Sequence, residues 1–184
     1  MAKDFKRLTD FLVGLGIEKI DHTQKSYLAH LIGVYRLMEA QGCTEELCRA
    51  GMFHSIYGTE RFRGFTLPPE RRPEVSALIG ERAEQLAYLN CLMDRSTLDC
   101  AVEEEVEPYR IRLRTQEEVT LSRADFDDLC RVHLFDWLEQ VPRSDPGWGH
   151  RRAALRRMAE RLGGAALETY DRVFAAERTG ANVG

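Results

Sequence analysis

Between Tyr27 and Met38 the apolar residues Tyr27, Leu31, Val34 and Met38 recur at steps of three and four, the spacing of one helix face turned toward a core. This stretch predicts a strong helix from about Thr23 to Ala40, ended by Gly42. A second segment repeats the pattern. Thr44 is placed to cap a helix whose first turn carries Glu45 and Glu46, opposite the positive end of the helix dipole, and which runs to His54. Leu47, Ala50, Gly51 and His54 share one side of it. A first helix is expected from about Asp4 to Val13, breaking at "GLG".

Further along, "RFRGFTLPPERRP" reads as a loop because of Gly64 and the Pro68-Pro69 pair. A helical pattern follows from about Glu74 to Asp94, with a kink expected at Gly80. The stretch "YRIRLRTQEEVTLS" alternates and predicts a small hairpin, Arg110 to Leu113 with Val119 to Leu121. Ser122 then caps a helix, with Asp125 at the reciprocal capping-box position, through "FDDLCRVHLFDWLEQV" to just before Pro142. "PRSDPGWGH" is expected to turn, and two closing helices are separated by Gly163-Gly164. The expectation is an all-α helical bundle with one short β-hairpin.

At 184 residues the chain fits one domain with a sizeable core. A net charge of -4 argues against a nucleic-acid partner, and the arginines of "HRRAALRRMAER" fall at spacings that suit a solvated helix face. The basic N-terminus is followed by an apolar run broken at Asp10 and without a small-residue cleavage pattern. No stretch approaches the roughly 20 apolar residues of a membrane span. A cytoplasmic location and no membrane partner are therefore expected. The five cysteines are odd in number and lack CxxC spacing, so neither a zinc knuckle nor a disulfide framework is indicated. Cys91 and Cys130 lie in helical apolar patterns and read as buried thiols.

Three helices each carry a residue of metal-ligand type on the side expected to pack: His30 beside Tyr27, Leu31 and Val34; His54 beside Leu47, Ala50 and Gly51; and Asp94 on the stripe Ala83, Ala87, Asn90. A charged Asp94 in a packed interior is costly unless paired or metal-bound. The stretch "YLAHLIGVYRLMEAQGCTEELCRAGMFHSIYG" resembles the first half of the HD-domain superfamily, in which a histidine on one helix precedes a helix ending in His-Asp and a later helix supplies a final aspartate. His30 matches the first histidine, His54 the histidine of the pair, and Asp94 in "LAYLNCLMDRS" the last aspartate. The resemblance covers roughly residues 20 to 100, and it extends to a bacterial HD-like group with an H-S-x-Y-G-T signature. It implies a single HD-domain-like helical domain over 1–184, with the motif region at about 20–100 and the hairpin and C-terminal helices at 109–178. The chain departs from the pattern at Ser55, where a neutral hydroxyl replaces the aspartate and cannot balance two divalent cations.

What remains is two histidines and one carboxylate, the donor set of mononuclear non-haem iron sites, which manganese or zinc can also occupy. One divalent metal ion (iron, manganese or zinc) bound by His30, His54 and Asp94 is the expected cofactor. HD phosphohydrolases imply ester hydrolysis, and HD-type oxygenases imply oxidation of a polar small molecule. His22, eight residues before His30, is expected about two turns earlier on nearly the same helix side, as a further ligand, a general base or part of the helix start with Thr23. Tyr57, Thr59 and Glu60 follow His54 closely enough to line a cavity mouth, with local loop bonding as the alternative. Tyr57 and Arg95 are assigned to orienting substrate, and Arg72 and Arg95 are suited to clamping an anion. His133 and Asp136, one turn apart beside Trp137, can contribute jointly to a cavity or be a satisfied helix pair. Two other readings stay open: a metal-free small-molecule-binding or accessory protein, favoured by Ser55, and a structural protein whose polar groups are all internally satisfied. A homodimer is compatible with the helix faces.

Overall fold

The structure is a computed structural model that describes residues 2–22, 24–143 and 149–180. Thr23, and the central part of the turn expected after Pro142, lie outside the described residues. The fold class is all-α with a short β-hairpin, as expected from the periodicity. The chain separates into two compact units, Met1–Cys91 and Leu92–Gly184.

The first unit contains α1 (Ala2–Gly14), a two-residue antiparallel pair β1 (Asp21–His22) and β2 (Lys25–Ser26), and four further helices. These are α2 (Tyr27–Ala40), α3 (Glu45–Phe53), α4 (Arg72–Ile79) and α5 (Glu81–Leu92). The start of α2 corrects the sequence expectation. Ser26, not Thr23, begins it: the Ser26 hydroxyl accepts from the Ala29 amide at 3.2 Å, satisfying one of the unpaired donors of the first turn. Gln24 takes a left-handed φ of 62°, and the chain doubles back so that His22 pairs with Lys25. His22 therefore sits on a strand and not on the helix.

Thr44 caps α3 as expected, its hydroxyl accepting from the Leu47 amide. The long helix expected over 74–94 is two helices: Gly80 has φ 99°, which only glycine adopts freely, and the break is complete there instead of a kink. The expected loop before it ends earlier, because Pro73 occupies the first turn of α4, where its missing N–H costs nothing. Tyr27, Leu31, Val34 and Met38 are all buried, together with Leu8, Leu12 and Phe53.

The second unit contains α6 (Arg95–Glu104), the hairpin β3 (Tyr109–Arg112) with β4 (Glu118–Leu121), α7 (Arg123–Gln140), α8 (Gly149–Leu162) and α9 (Gly164–Gly180). Helix α6 was not anticipated. The hairpin lies close to its expected position, with Tyr109 opposite Leu121 and Arg112 opposite Glu118. Ser122 caps α7, its hydroxyl accepting from the Asp125 amide at 3.2 Å. Gly163 separates the last two helices with φ 63°. Leu98, Ile111, Phe126, Leu129, Leu134, Leu155 and Met158 are buried.

The arginines of α8 do not all follow the expected solvated face. The side chain of Arg161 is 6% exposed, bonds Asp127 at 2.7 Å and covers the stacked rings of Tyr109 and Phe126. Arg151 is 11% exposed and paired with Asp99. Both guanidinium groups lie over aromatic rings and pair with carboxylates, which helical spacing alone does not reveal. Cys91 and Cys130 are buried, as expected, and so is Cys48, whose thiol burial pushes up to about 12. That group is therefore a poor nucleophile at neutral pH.

Candidate metal centre

In the first unit, α2 and α3 approach closely because Gly51 has no side chain. A Cβ on Gly51 would fall 2.3 Å from Met38 Sδ and 3.2 Å from Val34 Cγ1. Gly51 lies one turn before His54 and Val34 one turn after His30, so this close crossing brings the two imidazoles together. His30 is 0% and His54 1% exposed, and their Nε2 atoms are 3.3 Å apart. The rings meet edge to face, at 87°. Gly51→Ala is expected to destabilise the fold by about 1–3 kcal/mol through overpacking. Denaturant unfolding checks this, and an unchanged midpoint would show that Met38 moves aside freely.

The tautomer of neutral His54 follows from its other nitrogen. Nδ1 is 2.7 Å from the Gly51 carbonyl oxygen, which can only accept. Nδ1 thus carries the proton, and Nε2 presents a lone pair toward His30. A backbone carbonyl on the distal nitrogen is also the usual way a metal-ligating histidine is oriented. His54 ends α3, and its own carbonyl oxygen accepts from Asn90 Nδ2 at 2.8 Å and Cys91 Sγ at 3.1 Å, tying it to α5.

Two nitrogens bound at about 2.0–2.1 Å to one tetrahedral ion stand about 3.3 Å apart. The Nε2 separation matches that spacing, and it also fits a direct hydrogen bond from His30 Nε2–H to His54. Around the pair, His22 lies parallel to His30 with ring centroids 4.3 Å apart at 10°. The hydroxyls of Ser55 and Tyr27 are bonded at 2.9 Å, both buried. Tyr27 therefore holds Ser55, the residue that follows His54.

Tyr57 lies elsewhere in the network. Its hydroxyl donates to Glu84 Oε1 at 2.8 Å, and burial, followed by that bond, raises the phenol above its ordinary value and keeps it protonated. Arg72 meets both oxygens of the same carboxylate, at 2.7 and 2.8 Å, and lies 3.6 Å over the Tyr88 ring. Glu84 is 4% exposed. Both Tyr57 and Arg72 are thus engaged with a buried carboxylate that the sequence reading did not single out. The signal was present: Glu84 lies among Ala83, Leu86 and Ala87, on a stripe that has to pack. Thr59 follows the local-bonding alternative, its hydroxyl accepting from the Phe62 amide at 3.0 Å.

In the second unit Asp94 caps α6. Its Oδ1 accepts from the Ser96 amide at 3.0 Å and the Ser96 hydroxyl at 2.7 Å. The sequence reading placed it at the end of a helix; the structure places it at the start of the next. Arg95 is buried at 8% exposure with its guanidinium 5.6 Å from the Trp137 ring centroid. Asp136 is 4% exposed and Oδ1 accepts from Gln140 Nε2 at 2.7 Å. His133 is fully buried, its Nε2 3.4 Å from Arg151. Within the first unit, His30 and His54 are buried residues of metal-ligand type whose donor atoms lie within 4.8 Å of one another.

Residues 11–95 match the model of a family described as Domain of unknown function (DUF6817). The matched segment is less than half of the chain. It contains His22, His30, His54, Ser55 and Asp94, but none of α7 to α9. No curated protein and no solved structure matches the chain. Among the described residues, no helix is long and apolar enough to cross a membrane.

Proposed function

We propose that the chain is a degenerate HD-type metal-dependent enzyme with a mononuclear centre, acting on a polar small molecule as an oxygenase or hydrolase. The observation that carries this reading is the buried His30–His54 pair, with Nε2 atoms 3.3 Å apart and the His54 lone pair set by the Gly51 carbonyl. Two imidazoles and a carboxylate suit iron, manganese or zinc. The third donor in this reading is a carboxylate, and the resemblance to the HD pattern aligns Asp94 with it. A bound ion supplies open positions for oxygen or activates water. Ser55 supports one metal and not two, since its hydroxyl contributes no charge.

Metal analysis of the purified protein, followed by titration with iron(II), manganese(II) and zinc(II), tests the reading. Bound metal, or uptake that weakens in His54→Ala, supports it, and weakening in Asp94→Asn identifies the carboxylate. No metal after purification and none taken up ends it. A second reading, a metal-free binding or accessory protein, is favoured by the Tyr27–Ser55 bond and by a His30–His54 distance that also fits a direct hydrogen bond. It expects stabilisation by a metabolite and not by metals in thermal shifts, because a ligand that binds only the folded state raises its melting temperature.

A further inference from the structure

We propose that His22 is a positioning residue that holds the His30 imidazole in its metal-binding plane by stacking, without itself touching the ion; this rests on the metal reading above. The two rings are nearly parallel, at 10°, with centroids 4.3 Å apart. The lone pair of an imidazole nitrogen lies in its ring plane, so an ion bound to His30 at about 2.0–2.1 Å lies in the His30 plane. Aromatic planes approach no closer than about 3.5 Å, which leaves that ion well outside ligand distance of a His22 nitrogen.

The surroundings of His22 fit a rigid backing. Two further rings meet it: Phe62 edge-on, centroids 4.6 Å apart at 72°, and Tyr27 at 5.8 Å. Phe62 also packs on Tyr27 at 4.5 Å, so the three rings brace one another. The chain builds this arrangement deliberately in local terms. The β1–β2 turn reverses the backbone just before α2, and the Tyr27 amide donates to the Ile20 carbonyl at 2.7 Å, which fixes the hairpin against the start of the helix carrying His30. Holding the ring plane of a metal ligand is what outer residues of metal sites ordinarily do, through hydrogen bonds. Here a stacked ring does it.

The test compares wild type with His22→Ala and His22→Phe, since phenylalanine keeps a stacking face and has no nitrogen. Zinc(II), manganese(II) and iron(II) are titrated calorimetrically, and the His30 ring-proton shifts are recorded by NMR on each metal-free protein. His22→Ala is expected to weaken metal affinity about tenfold to a hundredfold and to move the His30 ring protons downfield as the ring current is lost. His22→Phe is expected to keep the affinity and the upfield shifts. Unchanged affinity and shifts in His22→Ala overturn the proposal. So does a His22→Phe variant as weak as His22→Ala, which would return His22 to the role of ligand or proton carrier. If wild type binds none of the three ions, the metal reading falls, and the shift comparison alone decides the stacking: unaltered His30 shifts in His22→Ala refute it.

Discussion

Replacing His54 by alanine is expected to weaken divalent-metal binding more than about a hundredfold, beyond the usual loss from outer residues of a metal site. The imidazole contributes a buried nitrogen whose lone pair is already oriented by the 2.7 Å contact to the Gly51 carbonyl, so its removal takes away both a donor and its preorganisation. The same change also removes that hydrogen bond and opens a hole in a packed site, at a cost of about 1–3 kcal/mol. Calorimetric titration with zinc(II) and manganese(II), run on variant shown to be folded by circular dichroism, separates the two effects. Affinity equal to wild type in a folded His54→Ala protein would remove the proposed centre. A melting temperature lowered with no metal binding in either protein would instead favour the structural reading, in which the two histidines only bond each other.

The second large effect concerns Glu84. This carboxylate, 4% exposed, accepts from Tyr57 and from two nitrogens of Arg72. Glu84→Ala leaves a guanidinium and a phenol without their main acceptor, and such a change at a buried pair costs about 3–5 kcal/mol. The Arg72 side chain is 30% exposed, so water offsets part of the loss and the lower end, about 3 kcal/mol, is expected. Glu84→Gln keeps the shape and an acceptor oxygen and is expected to lose about half as much. Urea unfolding of the three proteins measures this directly. A midpoint for Glu84→Ala within error of wild type would show that the cluster holds nothing together. The consequence for the site is local: Glu84 anchors Tyr57, three residues after His54, to the helix that also carries Asn90. Loosening that anchor should also broaden the His54 environment.

Much of this architecture was legible along the chain because the rules behind it are local. Thr44 and Ser122 cap their helices, Gly42 and Gly163 mark stops, and the hairpin register follows alternation, since each depends on a few neighbouring residues. The facing of His30 and His54 was legible for the same reason: both lie on the apolar stripe of a strongly periodic helix. Asp94 shows where such reading misplaces a residue along the helices. Extending the stripe Ala83, Ala87, Asn90 by one more turn makes Asp94 an interior group. An aspartate followed by Ser96 and Thr97 is also an N-cap signal, and the capping bonds decide in its favour. His22 fails in the opposite sense: its helical spacing to His30 was wrong because a hairpin intervenes, yet a turn of the backbone places it against His30 all the same.

By itself the sequence determined the starts of α3 and α7, the apolar faces of α2 and α3, and which chemically able side chains lie on those faces, because these depend on short-range hydrogen bonding and periodic burial. Only the tertiary structure decided which of those side chains meet. The crossing permitted by Gly51, the stacking of His22 on His30, and the capture of Tyr57 and Arg72 by Glu84 join residues distant in the chain or separated by a reversal. Such pairings are set by how packed surfaces fit, and no local pattern encodes them.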